Sequence, residues 1–218
     1  MGDPVVYCGI DEAGRGSVMG PLVVGIVRTD DDKGLMSLGV KDSKKLTPRK
    51  RETIYAELVE SYDTHVIEVS AAEIDRQRDH ISLNEIELNM FAEAFNGLSA
   101  GTLYADCPDV NEGNFSESMR AKCGGVCRVV AEHKADDRYP VVSAASIVAK
   151  VTRDRRITEI SKEFGINIGS GYPSDRITMD FIERWIKEKG RAPAYTRCSW
   201  EPVRRLTSLA ANTKISDW

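Results

Sequence analysis

Four acidic residues of this sequence stand at or just beyond the ends of strand-like apolar segments. Asp11 and Glu12 close the first such segment, Asp106 closes a second, and Asp136 follows a third. Because functional sites of open α/β sheets gather at strand ends, we expect the four carboxylates to converge. Such an oxygen-rich ligand set suits Mg²⁺ or Mn²⁺ better than zinc. Two of these ions, roughly 3.5–4 Å apart, activate a water and stabilise the leaving oxygen of a phosphoryl displacement.

The same acids also have simpler interpretations. Adjacent side chains of a straight strand point to opposite faces, so Asp11 and Glu12 can flank one site only where the strand begins to turn. The Asp11–Glu12 pair could instead be two solvated charges that open a turn, and Asp106 and Asp136 could cap loops. Asp137 competes with Asp136 for the inward position. A glycosidase needs two acids across a sugar, which four acids and basic loops fit poorly. The joint pattern therefore favours a metal site.

The elements that must position these acids follow from hydrophobic periodicity and capping signals. The predicted strands cover residues 5–10, 21–27, 65–69, 102–106 and 127–132. One predicted helix begins at Pro48, and another extends from Ser82 to about Phe95, with Gly97 as its terminator. Three more cover 141 to about 164, 177–186 before Gly190, and about 202–211. Residues 30–34 predict an exposed hairpin-type loop.

Strands that alternate with helices, followed by helices alone, predict an α/β fold with a small helical C-terminal appendage. We expect residues 1–165 to form the sheet domain and residues 166–218 to form the appendage packed on it. Along the long helix, we expect Lys150 to face the site and Arg153, Arg155 and Arg156 to lie on the exposed side.

Composition restricts the class of protein. The chain has 218 residues, 41% of them hydrophobic and 29% charged, which is ordinary for a globular protein. A net charge of −4 argues against non-specific coating of nucleic acid but permits a nuclease with local phosphate contacts. The five scattered cysteines predict free thiols. With neither a signal-like N-terminus nor a long apolar run, the sequence predicts a cytoplasmic protein. We expect it to act as a monomer.

Six motifs follow one another along the chain. They are DEAGRG at 11–16, KDSKKL at 41–46, YAD at 104–106, HKAD at 133–136, SAASIVAK at 143–150 and GSGYPSD at 169–175. In this order, over about residues 5 to 205, they resemble those of ribonuclease HII in its archaeal form. The resemblance implies a ribonuclease H-like mixed β-sheet flanked by helices. It also implies hydrolysis of the RNA strand of RNA–DNA hybrids and 5′ incision at single ribonucleotides in duplex DNA, leaving 3′-hydroxyl and 5′-phosphate ends.

The resemblance also implies which residues act. The catalytic, metal-binding acids would be Asp11, Glu12, Asp106 and Asp136. The implied substrate contacts are Gly14, Arg15, Gly16, Lys44, Lys45, Ser146, Lys150 and Tyr172. In similar proteins the Gly-Arg-Gly segment contacts the 2′-hydroxyl at the RNA–DNA junction. The matching tyrosine stacks on the following deoxyribose, where its ring rejects a second 2′-hydroxyl.

The glycines of this segment have a physical reason for such a role. Glycine lets backbone amides approach a ligand closely and adopts positive φ, and the 2′-hydroxyl is the group that separates RNA from DNA. The alternative for Gly14 and Gly16 is a plain turn, and for Tyr172 it is a packed loop aromatic. Basic residues 49–51 could position substrate phosphates or could form a solvated charged face. His133 could assist proton transfer or serve a structural purpose.

The spacing of residues in the C-terminal tail indicates a weak sliding-clamp contact, and the alternative is a frayed terminus. Relatives often end in a clamp-binding peptide with a glutamine, an aliphatic residue three positions on, and two aromatics. Asn212, Ile215 and Trp218 have this spacing, but asparagine replaces the glutamine and one aromatic follows. The other expected partners are RNA–DNA hybrid and ribonucleotide-containing duplex DNA. The rival functions are another two-metal nuclease of the same fold and a hybrid-binding module without catalysis.

Overall fold

The centre of the molecule is a mixed five-stranded sheet. The computed structural model describes residues 6–41 and 46–215, with side chains described as far as Ala211. The strands are β1 (Tyr7–Ala13), β2 (Leu22–Thr29), β3 (Asp63–Val69), β4 (Thr102–Asp106) and β5 (Arg128–Glu132). Their order across the sheet is β3-β2-β1-β4-β5. Strand β1 is antiparallel to β2 and parallel to β4, and β4 is parallel to β5.

Helices alternate with these strands along the chain and follow them, so the fold is of the α/β class, as the sequence predicts. They are α1 (Asp32–Leu38), α2 (Pro48–Ser61), α3 (Ala71–Arg78), α4 (Leu83–Leu98), α5 (Glu112–Lys122), α6 (Ala135–Arg138), α7 (Pro140–Phe164), α8 (Arg176–Lys189) and α9 (Glu201–Ile215). Across the part of the chain that the structure describes, no helix is long and apolar enough to cross a membrane.

The chain divides into two compact units. The first comprises the described residues up to Ala13 together with Val23–Glu68 and Leu83–Thr152, and it contains nearly all of the sheet. The second comprises Gly14–Leu22, Val69–Ser82 and the described residues from Arg153 onward. The predicted domain boundary at residue 165 stays a prediction.

In the first unit, α7 packs directly on the sheet because two glycines leave room for its backbone. A Cβ added at Gly9 of β1 would lie 2.3 Å from the carbonyl carbon of Val141, and one at Gly25 of β2 would lie 2.7 Å from the carbonyl oxygen of Ala145. Small residues on the facing helix surface allow the same close approach. The start of α7 is also anchored by the Ser143 hydroxyl, which donates a 2.5 Å hydrogen bond to the carbonyl of Val40.

The second unit has its own apolar cluster, formed by the second half of α7 with α8 and α9. Phe164, Phe181 and Trp185 pack edge to face or tilted, with ring centroids 5.1–5.8 Å apart. Helix α8 has clear ends: the Asp175 side chain accepts from the backbone amide of Ile177 at the N-terminus, and Gly190 adopts the left-handed conformation at the C-terminus.

Two local predictions are wrong. Residues 30–34 do not form an exposed hairpin-type loop, because Asp31 caps α1 and Asp32 lies in its first turn, where acidic residues favour a helix. Gly97 does not terminate its helix but lies inside α4, where a Cβ would come within 2.8 Å of the His65 ring. Close approach to that ring, not a turn, requires glycine there.

Candidate active site

Asp11 lies near the end of β1 on the sheet face that α7 covers. Side chains alternate along a strand, so Asp11 shares the face of Gly9, and it pairs across the sheet with Gly25 of β2. The Ser146 hydroxyl of α7 donates a hydrogen bond to the Asp11 carboxylate. The same carboxylate accepts the amide N–H of Glu12 at 2.7 Å. Asp11 is only 5% exposed, so the fold buries a carboxyl group here.

Strand pairing brings Asp106 to the same place. Gly9 of β1 is in register with Tyr104 of the parallel strand β4. Two residues further along each strand, Asp11 and Asp106 therefore become neighbours on one face of the sheet. This pairing of β1 and β4 creates the acidic site from segments far apart in the chain.

Asp136 reaches this site through the turn that follows β5. The carboxylate of Asp106 accepts the amide N–H of Ala135 at 2.9 Å. Lys134 makes this possible by adopting the left-handed conformation, with φ of 58° and ψ of 39°. Asp136 follows Ala135 and is 4% exposed, whereas Asp137 is exposed. The structure therefore buries Asp136 of the two candidates.

The acids repel one another electrostatically. Burial raises the pKa of the Asp11 carboxyl well above its ordinary range, and the charges of Glu12 and then Asp106 raise it further. The hydrogen bonds from Ser146 and from the Glu12 amide lower it without offsetting the rise. A cation at this position would relieve both the desolvation and the mutual repulsion.

The donor chemistry fits a hard divalent cation, because every candidate ligand is a carboxylate oxygen. Within residues 6–41 and 46–215, however, no three His, Cys, Asp or Glu side chains are already arranged to hold an ion. Asp11, Glu12 and Asp106 interact electrostatically, and Asp136 joins them through the backbone of its neighbour. These four residues are the candidate ligands for such a cation.

The Gly14–Arg15–Gly16 segment belongs to the second unit. Gly14 is buried with φ of +91°, and a Cβ there would lie 2.6 Å from Nε of Arg153 and 2.7 Å from the carbonyl oxygen of Pro21. Gly16 is exposed, has no positive φ, and would place a Cβ in open space. The fold therefore requires glycine at position 14 and has no such requirement at position 16.

Tyr172, in the loop before α8, packs its ring on a buried cation. The guanidinium carbon of Arg153 lies 4.3 Å from the ring centroid, and Nη2 of Arg153 donates to the carbonyl of Ser170 at 2.8 Å. The side chain of Tyr172 keeps partial exposure. An aromatic ring so supported presents a rigid apolar face.

The remaining predicted site residues are placed as follows. Lys150 lies one helical turn after Ser146 on the same face of α7. Arg15 is half-buried. Lys44 and Lys45 lie outside the described residues, as do the side chains of the tail. His133 is exposed, and its amide donates to the Glu112 carboxylate at 2.6 Å.

Two buried arginines of the second unit are not among the predicted site residues. Arg153, expected on the exposed side of α7, is 1% exposed, and Arg197 in the loop before α9 is 0% exposed. The expectation is wrong because Arg153 follows Ala145 and Ala149 at four-residue intervals, on the same buried stripe of the helix. That spacing was the available signal for Arg153. Nothing local distinguishes Arg197.

Carboxylates at the ends of adjacent parallel strands in a mixed five-stranded sheet fit the class of ribonuclease H-like nucleases. Comparison with known proteins identifies the family. The model of the family described as Ribonuclease HII matches residues 8–203. A ribonuclease HII from Methanospirillum hungatei JF-1 is 42% identical over 213 residues, covering 98% of this chain and 100% of that protein.

Two solved structures are similar to the chain throughout. Ribonuclease H2 from Pyrococcus horikoshii OT3 superposes with a TM-score of 0.89 at 40% identity, covering 94% of this chain and 99% of that one. RNase HII in the PCNA:RNase HII complex from Archaeoglobus fulgidus superposes with a TM-score of 0.86 at 43% identity, covering 92% of this chain and 96% of that one. The chain belongs to the ribonuclease HII family. It is therefore a metal-dependent endoribonuclease with ribonuclease H activity on RNA–DNA hybrids.

Proposed function

We propose that Asp11, Glu12, Asp106 and Asp136 hold two Mg²⁺ or Mn²⁺ ions, and that the enzyme cuts on the 5′ side of single ribonucleotides in duplex DNA as well as within longer hybrids. The products carry 3′-hydroxyl and 5′-phosphate ends. This activity suits the removal of RNA primers and of misincorporated ribonucleotides. The observation that carries the proposal is the buried Asp11 carboxyl, whose pKa is raised by burial and by Glu12 and Asp106.

The residues of the chain divide the work. When bound, the divalent ions would supply an activated water and neutralise charge on the leaving oxygen. Ser146 and the Glu12 amide hold the Asp11 carboxylate in one orientation, and the Ala135 amide does so for Asp106. Oriented ligands need little reorganisation when the substrate arrives. Lys150, one turn beyond Ser146, supplies a positive charge for the substrate phosphates, as do Lys44 and Lys45.

Recognition of the ribonucleotide falls to the second unit. The open space beside Gly16 lets its backbone approach a ribose closely, with Gly14 and Arg15 completing the segment that reads the 2′-hydroxyl. The ring of Tyr172 stacks on the deoxyribose that follows. Both contacts are indifferent to the base, which suits an enzyme acting at any misincorporated ribonucleotide.

The test is incision of a labelled DNA duplex that contains one ribonucleotide, beside an all-DNA duplex and a long hybrid. We expect a single cut on the 5′ side of the ribonucleotide with Mg²⁺ or Mn²⁺, lost with chelator and reduced by about 10³-fold or more in Asp11→Asn. Exposed Asp137→Asn is the matched control and should remain active. Cleavage of long hybrids alone would refute the role of Gly14, Arg15, Gly16 and Tyr172. Cleavage of neither would favour a hybrid-binding module.

The proposal includes a weak contact with a sliding clamp through Asn212, Ile215 and Trp218. A similar structure is that of a PCNA:RNase HII complex from another organism, which supports this partner. Full-length protein should be retained by immobilised clamp, and Ile215→Ala with Trp218→Ala should abolish retention. Equal retention of the double variant would place any contact elsewhere.

The remaining parts of the proposal concern organisation. The protein acts as a monomer in the cytoplasm, with residues 1–165 as catalytic domain and 166–218 as appendage. Light scattering should give the mass of one 24.2 kDa chain. Limited proteolysis should cut near residue 165 if the boundary is correct, and protection of that region would refute it.

A further inference from the structure

The second unit buries two guanidinium groups that take no part in holding metal. Arg153 and Arg197 are the largest fully buried side chains of the described part of the chain. Arginine is almost never fully buried without a specific arrangement of partners, because desolvation of its charge is expensive. Each of these arginines needs an explanation beyond filling space.

Arg197 holds both ends of the loop that carries the Gly-Arg-Gly segment. Its Nη1 donates to the carbonyl of Arg15 at 3.0 Å, and its Nε and Nη2 donate to the carbonyl of Gly20 at 3.3 and 3.2 Å. Its own amide donates to the carbonyl of Val18 at 2.8 Å. One side chain thus fixes residues on either side of Gly16.

Arg153 connects the same loop with Tyr172. Its guanidinium stacks on the Tyr172 ring at 4.3 Å, while its Nε lies within 2.6 Å of where a Gly14 Cβ would be. The two segments are also joined directly, since the amides of Val18 and Met19 donate to the carbonyl of Gly171 at 2.8 and 3.1 Å. The Gly14–Gly20 loop and the Tyr172 loop therefore form one hydrogen-bonded assembly built on two arginines.

This arrangement is electrostatically unfavourable. Burial lowers the pKa of Arg153, and burial followed by repulsion from Arg153 lowers the pKa of Arg197 to about 9. Well-packed apolar side chains often replace buried ion groups at no loss of stability. The guanidinium is planar and carries five donors. It can therefore donate to several carbonyls in a fixed geometry and stack on an aromatic ring, which apolar side chains and lysine cannot do.

We propose that Arg153 and Arg197 are positioning residues for ribonucleotide recognition, with Arg153 orienting the Tyr172 ring and Arg197 fixing the Gly14–Gly20 loop around the 2′-hydroxyl. This inference rests on the proposed function, because it assigns a purpose to these two segments. The two arginines control different parts of recognition. Their substitution has different consequences.

Arg153→Lys tests the orientation of the ring. In the proposed function, Tyr172 meets a deoxyribose only at an RNA–DNA junction, so a loosened ring should impair junction cleavage more than cleavage within long hybrids. We expect the ratio of kcat/KM for a single-ribonucleotide duplex to kcat/KM for a long hybrid to fall about tenfold, since small misplacements reduce rates strongly. Loss of folded protein would lower both values equally and leave the ratio unchanged.

Arg197→Lys tests the loop. In an Asp11→Asn background, binding of a one-ribonucleotide duplex is compared with binding of the all-DNA duplex by fluorescence anisotropy. We expect the preference for the ribonucleotide to fall towards one as the Gly14–Gly20 loop loosens. If part of the variant protein is unfolded, both apparent affinities fall by the same factor and the preference is unchanged. Arg184→Lys, an exposed substitution on α8, is the control for both assays and should keep the parental ratios.

The outcomes separate the two proposals. If the parent enzyme cuts at single ribonucleotides and both lysine variants keep the parental ratios, the positioning inference is overturned and the proposed function stands. If the parent enzyme does not cut at single ribonucleotides, the proposed function fails and the inference fails with it. A fall of both ratios, with Arg184→Lys unaffected, supports the inference.

Discussion

At the scale of single residues, the fold accepts an electrostatic penalty at Asp11. Its carboxyl is buried next to Glu12 and Asp106. Its pKa is raised, first by burial and then by these two charges, which shows that the fold disfavours the ionised form. Active sites commonly trade stability for function in this way. The Ser146 hydroxyl and the Glu12 amide donate hydrogen bonds to the carboxylate, and they can equally donate to the side-chain oxygen of an asparagine at this position.

Asp11→Asn should therefore stabilise the protein while abolishing hydrolysis. In chelator, we expect the free energy of unfolding by urea to rise by about 1 kcal/mol, because the amide removes a buried charge and its repulsion. Asp137→Asn, at an exposed position, should change it little. A less stable Asp11→Asn protein would show that the carboxylate is well compensated in the metal-free enzyme.

Gly14 and Gly16 offer a matched pair of substitutions. Gly16→Ala should leave stability unchanged or raise it by up to about 1 kcal/mol, because the new methyl meets open space. It should nevertheless reduce kcat/KM for the single-ribonucleotide duplex about tenfold or more, since the methyl obstructs the ribose.

Gly14→Ala should destabilise the protein by more than about 1 kcal/mol, because its φ is +91° and its Cβ would collide with Arg153. Gly101→Ala, where the nearest contact is an ordinary 3.8 Å, controls for glycine replacement itself. Full activity of Gly16→Ala would remove backbone recognition at this position. Thermal unfolding and incision kinetics provide both readouts.

At the scale of elements, Asp175 joins the loop of Tyr172 to helix α8. One oxygen of its carboxylate accepts the amide of Ser170 at 2.6 Å and the other accepts the amide of Ile177 at 2.9 Å. These bonds lower the pKa of Asp175, the one from Ser170 contributing most. The folded state therefore favours the ionised cap, and this stabilisation exists above the unfolded-state pKa and disappears as pH falls through the folded-state value.

Asp175→Ala should lower the free energy of unfolding by about 1 kcal/mol at pH 7. The difference from the parent should shrink as pH falls below about 4, where the cap becomes protonated first in the unfolded and then in the folded state. Asp180→Ala, on the exposed surface of the same helix, is the control. A difference that stays constant down to pH 2.5 in urea titrations would contradict the ionised cap.

Elements whose signals are local were predictable from sequence. Strand β4 has the predicted bounds, Thr47 and Pro48 start α2 as predicted, and Gly190 ends α8. Asp11, Glu12 and Asp106 could be chosen because they stand at or near strand ends, whereas Asp136, which lies in α6, was chosen from the motif it shares with the family. The position of Asp136 in the α6 turn could not be predicted from the sequence, because it depends on the left-handed conformation of Lys134 and on a hydrogen bond from the Ala135 amide.

Long-range packing explains the errors. Arg153 lies on the buried stripe of Ala145 and Ala149, but the stripe alone does not show that a charged side chain can be buried there. In the structure, the Gly14 turn and the Tyr172 ring pack against its guanidinium. The helix within residues 30–34 was missed for the opposite reason. Asp31 caps this helix and Asp32 lies in its first turn, but the same acidic residues are also typical of a polar loop.

At the scale of the whole molecule, metal binding and stability should be linked. A ligand that binds only the folded state stabilises it by mass action. Millimolar Mg²⁺ should therefore raise the Tm of the parent enzyme, whereas Asp11→Asn, with fewer carboxylate ligands, should show little or no shift. Equal shifts for both proteins would indicate ion binding elsewhere. Differential scanning fluorimetry with and without chelator measures the effect.

The parallel pairing of β1 with β4 has a consequence for chain synthesis. Strand β2 follows β1 directly, but β4 lies nearly half the chain further on, so a nascent chain can form the β1–β2 hairpin long before it contains Asp106. Non-local parallel pairing is slow, because the intervening loop must close first. The repulsion between Asp11 and Asp106 therefore cannot arise before β4 has been synthesised, and a product truncated before β4 lacks both Asp106 and Asp136.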